Sequence, residues 1–552
     1  MARDIDRRNF LKAAGGATVA TTMTAGCLGS LTGGDGGGTL VYARGDHPEN
    51  YDPQQTTSGE VAKVTNQIFD QLIQFEAGSG GQLIDGLATE YGLEGTTATL
   101  TLREGVTFHN GEEFTAADAK ATIQRFTDSE YEYYLGDARS GYGPFTFGNW
   151  VESIDASSDY ELTINLVQQY APFLRNLAMF AAAILSKAQI ESLDDQTALG
   201  TNPQGTGPFT FEELDNANSR VSLGAYGDYW GEGPNVDGVV FKTIGQNSTR
   251  VQDVINGDSH ITDNLDSQSS QQAQDSDTAE LVSKNGINVG YMAFNMERVE
   301  AFRNKQVRKA ISLAINTEAI VNDIYQGFAS QADQPLPPDV MGHNDDLEPY
   351  PHDKEQAQTL LEEAGVSNLE FELAHFSNPR GYNPSPVQTA NQVKSDLEEI
   401  GMTVNLNQFS TFSSYLDYTD QGNHDACFLG WYTDNADPDN FMYVLLDPKV
   451  SLDAVPQGQD WVSFDTENYS TLNVSAWANT EYMQKVRDAQ STYDESTRQT
   501  LYEEASAIAN DEAPWVFIDY AQTLRAVNEA VVPDSYTVSS VGGPFLEQVQ
   551  LG

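Results

Sequence analysis

Strand-like and helix-like apolar patterns alternate along most of this 552-residue chain. Apolar and polar residues alternate at 39–43, 97–102 and 162–167, which predicts strands, and apolar residues recur at helical spacing at 306–324 and 481–510. This alternation favours an α/β or mixed α/β fold over an all-helical or all-strand fold. Because a chain of this length exceeds what one hydrophobic core normally holds, we expect more than one lobe.

Further elements of both kinds extend the alternation towards the C-terminus. The helix predicted at 115–126 has a defined start, because Thr115 can cap it and Asp118 follows three residues later. The other predicted helices are 62–75, 354–364 and 386–400, and the other predicted strands are 369–374, 403–406, 426–429 and 515–518.

The N-terminus has the features of an export signal. A twin arginine, Arg7-Arg8, precedes a weakly apolar run at residues 13–25. The run is too short and too rich in Gly, Ala and Thr to span a bilayer, and paired arginines in front of such a run are typical of the twin-arginine translocation (Tat) route. We therefore expect residues 1–27 to be a Tat-type signal that exports the protein to the extracellular face of the cell membrane.

A small-residue box at the end of this signal predicts a lipid anchor. Residues 24–27 read Thr-Ala-Gly-Cys, so the thiol of Cys27 is the expected lipid acceptor. Residues 28–38 are rich in glycine and predict a flexible tether at the membrane surface. The other cysteine is Cys427, so lipidation of Cys27 leaves no disulfide to stabilise the fold.

The charge balance is strongly acidic. The chain carries 81 acidic and 29 basic residues, a net charge of −52, and the acids are spread along its whole length. At ordinary salt such self-repulsion is destabilising, whereas in molar salt the Debye length falls to about 3 Å. This distribution is typical of the solvated surface of a halophilic protein and argues against a nucleic-acid binder.

The sequence contains no recognisable catalytic or cofactor-binding pattern. Its seven histidines are scattered, and neither a phosphate-binding loop nor a Gly-x-Ser-x-Gly turn is present. Cys427 lies in an apolar run, which favours a core cysteine over a nucleophile. The acidic segment 434–440 lacks the sixth-position glycine and the terminal Glu of an EF-hand. We therefore expect a protein that is not an enzyme and that binds no metal and no cofactor.

Two segments carry residues suited to binding a small zwitterion. Trp431, Tyr432 and Asp434 follow the predicted strand 426–429, and an acid shielded by such aromatic rings is a suitable partner for an ammonium group. Arg380 lies in a turn-rich segment after the strand 369–374, and a guanidinium is a natural bidentate partner for a carboxylate. From composition alone, each of these residues also fits a surface ion pair or a solvated loop.

Ordered motifs along the chain resemble those of the family 5 extracellular solute-binding proteins, which serve peptide and nickel ABC importers. The resemblance runs from Thr39 to about Asn528. The motifs that carry it are residues 84–88, 99–111, 205–209, 229–231 and 302–316.

Within that family the chain is most similar to bacterial dipeptide-binding proteins. Residues 380–384 resemble their Arg-x-Tyr-Asn-Pro segment, and residues 430–441 resemble their Gly-Trp segment. The resemblance implies that Arg380 holds the carboxylate of the ligand and Asp434 its α-ammonium group, with Tyr382 and Trp431 as further ligand-binding residues. This chain departs from the family pattern at Gly381 and at Tyr432-Thr433.

The resemblance also implies an architecture and a set of partners. The expected fold is a two-lobed, periplasmic-binding-protein-like clamp of class II with an extra subdomain in lobe I. Lobe I is expected at 39–290 and 516–552 and lobe II at 291–515, with two chain crossovers between them. The expected partners are a short peptide, with a dipeptide in the interlobe cleft as the expected ligand, and the permease subunits of an ABC transporter with their ATPases; the protein itself is expected to be a monomer.

Alternative functions remain open at this stage. A nickel-chelate, oligopeptide or oligosaccharide binder shares the same architecture, although scattered histidines disfavour direct nickel ligation. A secreted hydrolase belongs to another class, and paired carboxylates could serve glycoside chemistry, but no motif identifies them. A receptor that signals without transport is a third alternative.

Overall fold

The computed structural model describes residues 37–135 and 143–552. The predicted signal, Cys27 and most of the predicted tether lie outside these described residues. The helices are α1 (Gly59–Ile68), α2 (Ala116–Thr127), α3 (Phe173–Asn176), α4 (Lys187–Ser192), α5 (Asn247–Ile255), α6 (Ser267–Gln274), α7 (Lys305–Ala314), α8 (Thr317–Ala319), α9 (Lys354–Glu363), α10 (Pro386–Glu399), α11 (Phe412–Asp420), α12 (Asp439–Leu446), α13 (Thr480–Ser491) and α14 (Glu495–Glu512).

Strands alternate with these helices along the chain. They are β1 (Thr39–Arg44), β2 (Ile73–Phe75), β3 (Leu83–Asp85), β4 (Ala88–Glu94), β5 (Thr97–Leu102), β6 (Val151–Ser158), β7 (Glu161–Leu166), β8 (Phe209–Asp215), β9 (Arg220–Ala225), β10 (Gly238–Thr243), β11 (Ile261–Thr262), β12 (Ala279–Asn285), β13 (Asn288–Phe294), β14 (Ala329–Gln331), β15 (Glu370–Phe376), β16 (Thr403–Phe409), β17 (Ala426–Tyr432) and β18 (Trp515–Asn528). The predicted mixed α/β organisation is therefore confirmed.

A single mixed sheet of twelve strands dominates the described part of the chain. Its order is β16-β15-β17-β13-β18-β11-β1-β10-β9-β8, and β12 and β14 also pair with β18. Strands β15 and β16 run parallel, as do β1 and β10, whereas β13 pairs antiparallel with both β17 and β18.

The long strand β18 joins two halves of this sheet. Its first part pairs with β13 and β14, and its second part pairs with β11 and β12. We call β1, β8–β12 and the second part of β18 the first half of the sheet, and β13–β17 with the first part of β18 the second half. The chain passes from the first half to the second between Asn285 and Asn288, and it returns along β18.

A separate antiparallel sheet follows the order β4-β5-β7-β6, and β2 pairs with β3. Ala98 and Leu100 of this small sheet belong to the same apolar core as Met292 and Phe428 of the second half. The first half has a core of its own, which includes Tyr42. The described residues therefore contain two extensive apolar cores, one of which joins the small sheet to the second half of the large sheet.

One predicted helix is shorter than its apolar spacing suggests. The helix predicted at 62–75 ends at Ile68, and residues 73–75 form strand β2 instead. The physical reason is tertiary: the carbonyl oxygen of Ile68 accepts a hydrogen bond from the backbone N–H of Gly207 at 2.9 Å. Apolar residues beyond Ile68 are buried in β2, so the same spacing is compatible with a helix followed by a strand.

Two long predicted helices are each divided by a capping residue. The segment 306–324 breaks after Ala314, because Asn316 caps α8 by accepting a hydrogen bond from the N–H of Ala319 at 2.9 Å. The segment 481–510 breaks before Asp494, which caps α14 by accepting from the N–H of Thr497 at 2.8 Å. The apolar periodicity continues across both breaks, so the ends of these helices are determined by the capping residues and not by the apolar spacing.

Candidate functional site

A short turn after β15 fixes the position of Arg380. Its backbone N–H donates to the carbonyl of Asn383 at 3.0 Å, and the N–H of Asn383 donates back at 2.9 Å. The side chain of Asn383 is buried, and its Oδ1 accepts a hydrogen bond from the hydroxyl of Tyr325 at 3.1 Å. This internal bonding holds Arg380 at the C-terminal end of β15, before helix α10 begins.

The guanidinium of Arg380 is held by an aromatic ring and not by an acid. Its Cζ lies 3.2 Å from the centre of the Phe412 ring at the start of α11. Among the described residues, none forms a salt bridge with Arg380, and its buried Nε has no hydrogen-bond partner. Stacking on Phe412 orients the planar group, so it can receive a carboxylate from outside the protein.

The side chain of Asn440 organises the segment that carries Asp434. Its Oδ1 accepts two hydrogen bonds, from Trp431 Nε1 at 2.8 Å and from the backbone N–H of Asp434 at 3.2 Å. Asn440 is buried in the first turn of α12. Sequence reasoning assigned no role to Asn440, although it lies within the segment that resembles the family motif.

Close packing joins the two predicted segments. A Cβ on Gly430 would overlap the ring of Tyr382, and a Cβ on Gly381 would overlap the hydroxyl of Tyr432. The rings of Tyr382 and Tyr432 lie 6.0 Å apart between centroids. Burial raises the pKa of Tyr382 to about 12, so its phenol is neutral at physiological pH. The structure therefore brings Tyr382 together with Tyr432, which is not one of the four predicted ligand-binding residues.

Trp431 occupies a different position from Tyr432. Successive residues of a strand point to opposite faces, so Gly430 and Tyr432 share one face of β17 and Trp431 lies on the other. On that side Trp431 bonds to Asn440 and so supports the segment of Asp434. Trp431 is connected to Asp434 through Asn440, whereas Tyr382 packs against Gly430 and Tyr432.

Strand β18 contributes a buried acid, Asp519, beside the segment of Tyr382. Asp519 is opposite Gly290 in the β13–β18 pairing and is 1% exposed. Neither of its carboxylate oxygens has a hydrogen-bond partner among the described residues. Burial raises the pKa of Asp519 well above its ordinary value, which favours the protonated acid. The apolar pattern of this strand contains no signal for Asp519.

Charged residues of the first half of the sheet lie near Tyr432. Asp263 is buried and pairs with Lys63 at 2.6 Å, and it accepts a hydrogen bond from the hydroxyl of Tyr42 at 3.0 Å. Arg525, on the second part of β18, interacts electrostatically with both Asp263 and Tyr432. Arg525 thus links Tyr432 electrostatically with Asp263, which follows β11 of the first half of the sheet.

Residues directly after Asp434 bind to the segment that precedes and includes α3. Asn435 Nδ2 donates to Asn176 Oδ1 at 2.8 Å, and both side chains are fully buried. The hydroxyl of Tyr170 donates to Asp439 Oδ2 at 3.3 Å. These bonds connect the loop of the predicted ammonium-binding residue with a segment that follows the small sheet.

The acids of segment 434–440 also have internal partners. Asp437 forms a buried salt bridge with Arg498 at 2.8 Å, and Asp439 accepts a hydrogen bond from Gln490 at 2.9 Å. Across residues 37–135 and 143–552 there is no group of three or more His, Cys, Asp or Glu side chains that could hold a metal ion.

Cys427 lies in the core, as its apolar surroundings predict. The thiol is fully buried, and burial raises its pKa, which makes it a poor nucleophile. None of the helices in the described ranges has the length and apolar character that crossing a membrane requires.

Comparison with protein families supports both an export signal and a solute-binding protein. The sequence model of the bacterial extracellular solute-binding proteins, family 5 (middle region), matches residues 82–452, more than half of the chain. The model of the twin-arginine translocation pathway signal matches residues 4–24, which confirms the predicted Tat signal. Both matches indicate that the protein is exported.

Individual relatives cover nearly the whole chain. The dipeptide-binding protein of Escherichia coli (strain K12) is 28% identical over 528 residues, which cover 93% of this chain and 94% of that protein. Heme-binding protein A of Haemophilus influenzae is 28% identical over 496 residues, covering 87% of this chain and 86% of that protein.

A solved structure extends this similarity to three dimensions. The ABC transporter-associated periplasmic binding protein DppA from Helicobacter pylori, in complex with peptide STSA, has a TM-score of 0.80 and 29% sequence identity. The match covers 94% of this chain and 98% of that chain, and it confirms the predicted two-lobed fold. The chain therefore belongs to family 5 of the bacterial extracellular solute-binding proteins.

Proposed function

We propose that this protein is the substrate-binding lipoprotein of an ABC importer, and that it captures short peptides, above all dipeptides, in the cleft between its lobes. Arg380 binds the peptide carboxylate and Asp434 binds its α-ammonium group. Tyr382 contributes to the wall between them, and Trp431 supports Asp434 through Asn440. The protein acts as a monomer, delivers its ligand to the membrane permease and catalyses no reaction.

The observation that carries this proposal is the state of Arg380. Its guanidinium is oriented by Phe412 and has no acidic partner among the described residues, in a chain with 81 acids. A partly buried cation without a counter-charge is costly, and a ligand carboxylate would supply the missing partner. The contact between Gly381 and Tyr432 joins the segment of Arg380 to that of Asp434, so both ends of one small zwitterion are within reach of the same site.

The relatives support the peptide class more than a fixed length. One relative is named for dipeptides, and the H. pylori structure holds a four-residue peptide. The heme-binding relative makes heme the principal rival ligand, and nickel chelates, longer peptides and oligosaccharides remain further alternatives. A free carboxylate and a free ammonium group distinguish a peptide from heme, which lacks the ammonium group.

The lobes and the anchor complete the proposal. Lobe I comprises residues 39–290 and 516–552, and lobe II comprises 291–515, with an extra subdomain in lobe I. Support comes from β13 and β18, which pair with each other where the two halves of the sheet meet. Ligand binding would bias an open–closed equilibrium towards the form that the permease recognises. A lipid on Cys27 would hold the protein at the extracellular face of the membrane, and its acidic surface suits a halophilic cell.

A cycle of protein variants and end-blocked ligands tests the two anchors. We expect Arg380→Gln and Asp434→Asn each to weaken binding of an unmodified dipeptide by at least roughly thirtyfold, because each leaves one ligand charge without a partner. N-acetylation of the dipeptide removes its ammonium charge, so Asp434→Asn should cause no further loss with that ligand. C-amidation should likewise abolish the effect of Arg380→Gln. Isothermal titration calorimetry in molar salt measures all nine combinations.

Arg298→Gln is the matched control, because Arg298 forms an exposed ion pair with Asp425 away from the proposed anchors. Its dipeptide affinity should remain within about twofold of the wild-type value. Unchanged binding of the unmodified dipeptide by Arg380→Gln would contradict the assignment of Arg380.

A further inference from the structure

The two places where the chain departs from the family pattern touch each other. Gly381 follows Arg380, and Tyr432 precedes Asp434 by two residues. A Cβ at position 381 would collide with the hydroxyl and ring of Tyr432, so the two departures are sterically coupled. Tyrosine at 432 in its observed position therefore requires glycine at 381.

Tyr432 lies between the two proposed anchors and not in the core. Its side chain is partly exposed, and its ring lies against Tyr382. Arg525, on the second part of β18, interacts electrostatically with Tyr432. The ring starts from the segment of Asp434 and ends over the segment of Arg380.

We infer that Tyr432 is a specificity-determining wall of the peptide site, made possible by Gly381, that restricts the side chain at the ligand's C-terminal residue to small groups. The inference rests on the proposed peptide-binding function. The hydroxyl end of the Tyr432 ring lies over Gly381, which is next to Arg380 in the chain. In the proposed complex Arg380 holds the carboxylate of the ligand's C-terminal residue. The ring therefore occupies space next to that C-terminal residue. The opposite end of the ligand, at Asp434, lies next to the Cα of Tyr432 and not to the outer end of its ring.

The test compares pairs of dipeptides that differ in one side chain. Isothermal titration of the full chain in molar salt would use Ala-Ala, Ala-Trp and Trp-Ala as probes. The wild-type protein should bind Ala-Ala at least about tenfold more tightly than Ala-Trp, because a filled wall rejects the larger group. In Tyr432→Ala this preference should fall by about tenfold or more, whereas the ratio of Trp-Ala to Ala-Ala should stay within about twofold.

Two further variants distinguish the effect of the Tyr432 ring on ligand preference from the effect of its hydroxyl group and from general destabilisation of the protein. Tyr432→Phe keeps the ring, so its preference for Ala-Ala over Ala-Trp should match the wild type within about twofold. Gly381→Ala should alter that preference by displacing Tyr432, but it should have no further effect in the Tyr432→Ala background. This loss of effect in the double variant is expected only if the two positions act through the same contact.

Each outcome has a defined meaning. An unchanged preference in Tyr432→Ala, or an equal change in Tyr432→Phe, would overturn the role of the ring. In that case binding of Ala-Ala that is lost in Asp434→Asn would leave the proposed peptide function intact. No binding of any dipeptide by the wild-type protein would overturn both.

Discussion

Single residues after Asp434 differ in how their charges are compensated. Asp437 forms a salt bridge with Arg498, whereas among the described residues the side chain of Asp439 accepts hydrogen bonds from Tyr170 and Gln490 and forms no salt bridge. Burial, reinforced by the charge of Asp437, raises the pKa of Asp439 to about 7. The carboxyl group of Asp439 therefore titrates close to neutral pH.

Asp439 should make folding stability depend on pH in a defined direction. In the unfolded chain its pKa returns to about 3.9, so between about pH 4 and pH 7 the folded state binds the extra proton. Stability from this group therefore decreases as pH rises through that window and then stays constant. We expect Asp439→Asn to become more stable relative to the wild type as pH rises from about 4.5 to 7.5, measured by urea unfolding in molar salt.

The exposed residue Asp339 provides the control for this measurement. Asp339→Asn should leave the difference from the wild type nearly independent of pH. The same pH-independent difference in Asp439→Asn would show that burial does not hold its proton.

The sequence predicts some of these residues better than others. Arg380, Asp434, Trp431 and Tyr382 lie in segments with recognisable family motifs, so the sequence alone predicts them as ligand-binding residues. Tyr432 was visible as an aromatic residue near Asp434 and as a departure from the family pattern, but its contact with Gly381 depends on the packing of two segments 51 residues apart. Asp519 was not found, because an acid in a strand normally points to solvent, and its burial depends on pairing with β13.

Among the elements, helix α14 fixes the loop that follows Asp434. Arg498 Nη2 donates to both carboxylate oxygens of Asp437, at 2.8 and 3.0 Å, and its Nε donates to the carbonyl of Ala489 in α13. Asp437 is fully buried. One side chain thus connects α13, α14 and the candidate ligand-binding loop.

Removal of this arginine should destabilise the protein strongly. Arg498→Met leaves the buried carboxylate of Asp437 without its nearest cation, with only Arg175 Nε at 3.9 Å among the described residues, and breaking a buried ion pair typically costs about 3–5 kcal/mol of unfolding free energy. The double variant Arg498→Met, Asp437→Asn should recover part of that loss, because no uncompensated charge remains. Urea unfolding in molar salt measures both variants.

Arg298→Gln serves again as a comparison, since its ion pair with Asp425 is exposed and should be worth no more than about 1 kcal/mol. A cost for Arg498→Met as small as that of the surface pair would contradict a structural role for the Arg498–Asp437 contact.

Element boundaries illustrate what the apolar pattern leaves out. Strand and helix identities were mostly correct, because burial on one face imposes a period on the sequence. Helix ends were wrong where a polar cap or a distant backbone donor intervened, as at Asp494 and at Ile68. Strand β18 continues to Asn528, well beyond the predicted 515–518, because its second part pairs with β12 and not with β13.

At the scale of the whole molecule, the candidate site lies where the two halves of the sheet meet. There Tyr432 interacts electrostatically with Arg525. In addition, the hydroxyl oxygen of Ser385, in the turn after Arg380, lies 3.4 Å from the hydroxyl oxygen of Ser267 in α6. Asn435 and Asn176 add a buried contact on the other side of Asp434. If a ligand binds at the proposed anchors Arg380 and Asp434, contacts from both halves of the sheet around it would allow ligand binding to close the cleft.

The net charge of −52 sets the conditions for any binding experiment. In dilute buffer the self-repulsion of the acidic surface would oppose lobe closure and would also repel anionic ligands. Molar salt reduces the Debye length to about 3 Å and leaves mainly short-range contacts, such as those of Arg380 and Asp434.

Calorimetric titration of the purified chain in molar salt is the most direct test of the central proposal. Dipeptides, tripeptides, longer peptides, heme and nickel chelates would each be offered separately. We predict tight binding of dipeptides, weaker binding of tripeptides, and loss of both in Arg380→Gln and Asp434→Asn. Binding of heme, a nickel chelate or a sugar without any binding of short peptides would contradict the peptide function and the assignment of both anchors.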